Sequence, residues 1–169
     1  MNQNELKLIL QTSSLHTLLL LTSKMLARQG FGDVQFMDRR DTKQKSRYGG
    51  HELMCESTLG SFPIKIIVKV IGDSIRLRML DELAGAVMRT GSDLGIIVSP
   101  YPLSKTVARH NAQYHAARLM IIDGDGLATR LSTLGIGIRP SGGVDYQFFS
   151  HLSEVGDRAR SFLQMEGAR

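Results

Sequence analysis

Apolar residues follow two different rhythms along this chain. Leu15, Leu18, Leu19, Thr22, Met25 and Leu26 recur at helical spacing behind a Ser13-Ser14 cap, and Gly30 stands just past the last turn. Asp33 to Met37 then alternates polar and apolar side chains and predicts a first strand. Gly49 to Val70 predicts two adjacent strands joined by a tight turn at Thr58-Leu59-Gly60-Ser61. In the second of these, Lys65, Ile67 and Lys69 share one face, while Ile64, Ile66, Val68 and Val70 make the other wholly apolar. A helix bearing Leu77, Leu80, Leu83, Ala84, Val87 and Met88 follows, with Gly72-Asp73-Ser74 expected to cap it.

Leu94 to Ser99 is a short unbroken apolar run, as expected of a strand covered on both faces. Ser104 caps a mildly apolar helix to about His115, and Arg118 to Ile122 predicts another buried strand. Asp123-Gly124-Asp125-Gly126 turns that strand into a helix through Leu127, Leu131 and Leu134; the other ligands of a calcium loop are absent. Ile136 to Ile138 predicts a last edge strand. Asp145 caps a C-terminal helix over about 146–165, with Phe148, Leu152, Val155, Ala159 and Phe162 on one face, suited to a core or a dimer contact.

The order is helix, three strands, helix, strand, helix, strand, helix, then a C-terminal addition. It predicts an α/β fold with a mixed central sheet flanked by helices on both faces. A chain of 169 residues suits one domain, and neither a repeat nor a linker divides it.

Composition narrows the chemistry. The Leu18 to Leu21 run is far short of the roughly 20 residues that cross a bilayer, and the first residues lack a signal-peptide pattern. A single cysteine, Cys55, excludes an internal disulfide framework and a cysteine-rich zinc site; within a strand it reads as a packed thiol. The expected location is cytoplasmic, with no membrane partner. Net charge is 21 − 16 = +5, which favours anionic partners such as nucleic acid.

That charge clusters. Between Asp38 and Gly50 stand Arg39, Arg40, Lys43, Lys45 and Arg47 against Asp38 and Asp41, with Tyr48 offering a stacking face. Arg76 and Arg78 fall where the central helix begins, an unfavourable place for cations unless an anion docks there. These eight residues are the expected nucleic-acid contacts. His16 reads as an ordinary helix residue.

Several phrases, in this order and spacing, resemble the Mrr-type restriction endonuclease domain of the PD-(D/E)xK nuclease superfamily. They are Leu26-Ala27-Arg28-Gln29-Gly30-Phe31, Gly49-Gly50-His51-Glu52, Leu83-Ala84-Gly85-Ala86, Leu94 to Ser99, Ile121 to Leu127 and Val144 to Phe149. The resemblance covers about residues 15–152. It implies a restriction endonuclease-like fold, a DNA partner and a magnesium- or manganese-dependent site on the two adjacent strands. By position, Glu52 takes the place of the family's metal-binding aspartate and Lys69 that of its lysine. The second ligand falls on Ile67, and the acid of the family's first helix falls near Leu18 or Leu19; neither place can coordinate an ion.

Three readings follow. The first is a DNA-binding protein that keeps the nuclease fold with an impaired metal site. The second is an active endonuclease using magnesium or manganese, whose second acid has migrated to Glu56, Asp38 or Asp41. Glu56 is awkward there, because at i+4 on an extended strand it lies about 13 Å from Glu52. The third is an interaction protein assembling through the C-terminal helix, as a homodimer.

Overall fold

The structure is a computed structural model. It describes residues 3–36, 51–59 and 61–166, with backbone only at Asp33, Phe36, His51, Glu52, Leu59 and 159–166. The elements run α1 (Gln3–Thr12), α2 (Leu15–Arg28), β1 (Gly32–Phe36), β2 (His51–Leu59), β3 (Phe62–Val70), α3 (Leu77–Thr90), β4 (Leu94–Val98), α4 (Lys105–Ala116), β5 (Leu119–Ile122), α5 (Gly124–Thr133) and α6 (Tyr146–Glu166).

Five strands form one sheet in the order β1-β2-β3-β4-β5. β1, β2 and β3 pair antiparallel, and β3, β4 and β5 pair parallel through the α3 and α4 crossovers. This is the expected mixed sheet. Its strands lie in chain order because a hairpin opens the sheet and each crossover adds one strand.

Side-chain alternation sends successive residues of β3 into two different cores. Ile66, Val68 and Val70 join α1, α2, α5 and α6 in the larger one, which also holds Leu53 and Cys55 of β2. Ile67 joins Leu80, Leu83 and Val87 of α3, Val107 and Tyr114 of α4, and Ile97 and Leu119 in the smaller one. α3 lies over β3 and β4, and α4 over β5.

Three expectations change. An additional helix, α1, precedes the predicted first one and buries Leu6 and Leu10. Ile136 to Ile138 is not a strand but contributes one isolated bridge, Ile138 to Val144. Gly135 and Gly137 both have positive φ (65° and 68°), so the backbone curls where a strand would extend. Finally, α3 begins later than the predicted cap. Arg76 is its N-cap residue, with no side-chain capping bond. Asp73 instead binds its own neighbour, accepting from the Ser74 amide at 2.6 Å and from the Arg76 guanidinium at 3.1 Å. Its carboxylate forms a local turn rather than holding the helix end.

The other caps stand. Ser14, Ser104 and Asp123 accept from the amides of Thr17, Val107 and Gly126, and Asp145 accepts from that of Phe148. α6 packs along α2, so Phe149 and Leu152 belong to the core while Val155 is exposed. Among the described residues no helix is long and apolar enough to cross a membrane.

Candidate active site

The hairpin of β2 and β3 places Glu52 directly opposite Lys69 in the ladder. Residues opposed in an antiparallel pair share one face with Cβ atoms about 5 Å apart, so register alone joins the two residues that the sequence singled out. The same register sets Met54 opposite Ile67 and Glu56 opposite Lys65. Glu56 thus stands four places from Glu52, at the other end of the hairpin.

Lys69 is completely buried, and burying an ammonium is unfavourable without a countercharge. The countercharge comes from α3: Lys69 Nζ donates to Glu82 Oε2 at 2.6 Å, and the Glu82 side chain remains 25% exposed. A strong charge-assisted bond therefore joins the end of β3 to the helix that follows it. Glu82 was not anticipated from the sequence. A signal existed: a lysine inside a strand covered on both faces needs an acid within reach, and the next helix is its nearest source. The approach of that helix to the strand, however, is a property of the fold.

α3 is fixed from a second direction. Tyr114 of α4 is buried and donates its hydroxyl to Asp81 Oδ1 at 2.7 Å, so adjacent residues of α3 bind the sheet on one side and α4 on the other. Burial, and then the Asp81 carboxylate, pushes the Tyr114 phenol up to about 12. Burial alone pushes the Cys55 thiol up to about 11, which agrees with a packed, unreactive sulfur.

The remaining expected residues fall as follows. Arg76 and Arg78 are exposed at the start of α3, Arg76 paired with Asp73 and Arg78 one helical turn before Glu82. Arg39, Arg40, Lys43, Lys45, Arg47 and Tyr48, with Asp38 and Asp41, lie outside the described residues. The connection that carries them leaves the sheet after Phe36, opposite Leu53, and returns at His51, opposite Val70. Both ends therefore flank Glu52 and Lys69. Ile67 is wholly buried in the α3 core, and Leu18 and Leu19 are buried in the core on the other face. None of the three places is open to an ion.

A family model, the Mrr catalytic domain described as "Restriction endonuclease", matches residues 10–131. The chain belongs to the Mrr restriction endonuclease family. Comparison with curated proteins finds no match. Among solved structures, the MspJI restriction endonuclease in complex with a 27-mer oligonucleotide is similar at 16% identity with a TM-score of 0.47. The similarity covers 82% of this chain and 32% of that one, so this chain spans about a third of the MspJI length. In this Mrr-family chain the residues at the expected catalytic strands are Glu52 and Lys69, and the helix after them adds Glu82.

Proposed function

We propose that this protein is a metal-dependent DNA endonuclease in which Glu82 of α3 supplies the acid that β3 lacks at Ile67. The observation that carries this reading is the 2.6 Å contact between the buried ammonium of Lys69 and the partly exposed carboxylate of Glu82, beside the ladder position of Glu52. Membership of the Mrr family supports DNA as the substrate.

The donor set fits magnesium or manganese. Such an ion takes oxygen ligands, typically one or two protein carboxylates completed by water and substrate phosphate. The Glu82 side chain is 25% exposed, and Glu52 is the residue type and ladder position for the other carboxylate. A divalent ion held there would supply Lewis-acid polarisation of the phosphodiester. Lys69 adds a fixed cation beside the Glu82 carboxylate, whose field would favour negative charge developing on the phosphate although the ammonium itself is covered in the free protein. Glu82 orients that ammonium, so its position relative to β3 is set before DNA arrives.

The basic segment 39–48, tethered at both ends of the site, together with Arg76 and Arg78, would neutralise the phosphates flanking the cut. One observation favours a second reading, DNA binding without cleavage: Ile67, where the family supplies a ligand, is entirely buried in apolar surroundings.

Plasmid nicking in manganese or magnesium decides between them. The expected result is nicking by the wild type and a loss of about a hundredfold or more in Glu52→Ala, Lys69→Ala and Glu82→Gln. Nicking by Glu82→Gln at the wild-type rate would remove Glu82 from the site. A wild-type protein that shifts DNA in EDTA and never nicks it would establish the binding-only reading.

A further inference from the structure

On the α3 side of the sheet, the helices cover β3, β4 and β5, and the β1–β2 half continues past Lys69 with a cavity of about 240 Å³. Gln35, Met54, Cys55, Glu56 and Lys65 line it. Gln35 is paired with Met54 across β1–β2, and Glu56 with Lys65 across β2–β3, so four of the five are brought together by register.

The charges in this cavity do not cancel one another as that register would suggest. Lys65 turns its ammonium to the Thr90 carbonyl at the end of α3 (3.1 Å), and its backbone amide donates to Asp93 (2.9 Å). Among the described residues the Glu56 carboxylate has neither an ion-pair nor a hydrogen-bond partner, and the Gln35 amide likewise has none. The cavity thus presents a pure acceptor, a group that both donates and accepts, and the polarisable thioether of Met54. Its volume of about 240 Å³ leaves room for the edge of a heterocycle.

We infer that this cavity reads a DNA base, and that Glu56 and Gln35 select bases carrying an exocyclic amino group, cytosine or adenine. A carboxylate amid phosphates is repelled unless it meets a donor. The amino group of cytosine is the base donor that Glu accepts from in the major groove, and Gln pairs with adenine. Four strand residues separate Glu56 from the position of Glu52, about 13 Å. The base read would therefore lie away from the phosphate cut rather than at it. Phosphate contacts set the register of the duplex, and this contact adds sequence information to it. The inference rests on the DNA reading proposed above.

A randomised duplex pool tests it. The pool is selected by binding in EDTA, and separately by cleavage in manganese, and the recovered molecules are sequenced. Enrichment of cytosine or adenine at one position that is constant relative to the cut in the cleaved set is the expected result. Glu56→Gln should lower the preference for cytosine there by about tenfold, and Gln35→Ala should relax that for adenine. A pool bound or cut with no positional bias, or with a bias that neither substitution alters, would overturn the base-reading site and leave the endonuclease reading intact. A pool neither bound nor cut would remove both.

Discussion

The two faces of the sheet divide the work of this protein. On one, α1, α2, α5 and α6 bury an apolar layer that runs from Leu53 and Cys55 through Ile66, Val68 and Val70 to Val98 and Ile122. On the other, α3 and α4 cover only part of the sheet, and Lys65 and Lys69 alternate with Ile67 on the same strand. Stability on the first face comes from area removed from water. On the second it depends also on a small number of polar contacts that hold helices to the sheet. The proposed chemistry would sit at the boundary of the second face, where the buried Lys69 meets the partly exposed Glu82.

That contrast makes graded predictions. Leu53→Ala, on the fully packed face, should cost the most, about 3 kcal/mol or more, measured by urea unfolding, because a wholly buried leucine leaves a cavity. A cost below about 1 kcal/mol would mean that the packed face is far looser than it looks. Glu82→Ala should follow at up to about 3 kcal/mol, since it strips a partner from a buried ammonium. The paired change Lys69→Met with Glu82→Leu should recover most of that loss while abolishing nicking. Failure to recover would show that the pair stabilises the fold rather than the site alone.

The last effect is confined to alkaline pH. Cys55 is raised to about 11 from 9 and Tyr114 to about 12 from 10, so both are held in their neutral forms in the folded protein. The folded state then binds more protons than the unfolded one, and stability falls as pH rises. The Cys55 contribution is complete below about pH 9 and lost between about 9 and 11; that of Tyr114 is lost between about 10 and 12. Each is on the order of 3 kcal/mol. Cys55→Ala should flatten the pH 9 to 11 part of the stability curve and Tyr114→Phe the pH 10 to 12 part; an unaltered slope in both would contradict this account.

The sheet and most helices were legible because their signals are local. The hairpin, the unbroken run Leu94 to Val98 and the caps at Ser14, Ser104 and Asp123 each declare themselves within a few residues. The Glu52–Lys69 pairing was not legible: a turn at Thr58-Leu59-Gly60-Ser61 would set Glu52 opposite Ile67, whereas the ladder pairs Leu59 with Phe62 and so Glu52 with Lys69. What escaped is what depends on neighbours. α1 is a ten-residue helix whose apolar residues cluster in Leu6, Leu8, Ile9 and Leu10 without a sustained helical stripe, and its stability comes from packing Leu6, Ile9 and Leu10 against the core and α5. Glu82 lies on the flank of an amphipathic helix like any solvated acid, and only the docking of α3 on β3 reveals it as the partner of Lys69. Ile136 to Ile138 misled because alternation was supplied by glycines, whose left-handed backbone ends an extended chain.

Gly95 of β4 has no side chain, and that absence lets α3 approach the sheet closely. A methyl group there would stand 2.6 Å from Leu119, 2.7 Å from Val87 and 3.1 Å from Leu83. Leu83 is the residue after Glu82, so the bare backbone at Gly95 acts as a seat on which α3 rests. Enlarging that seat would raise the helix and carry the Glu82 carboxylate with it. The reach of the acid to Lys69 is therefore governed from the floor of an apolar core, and the site can be detuned without altering any charge it contains.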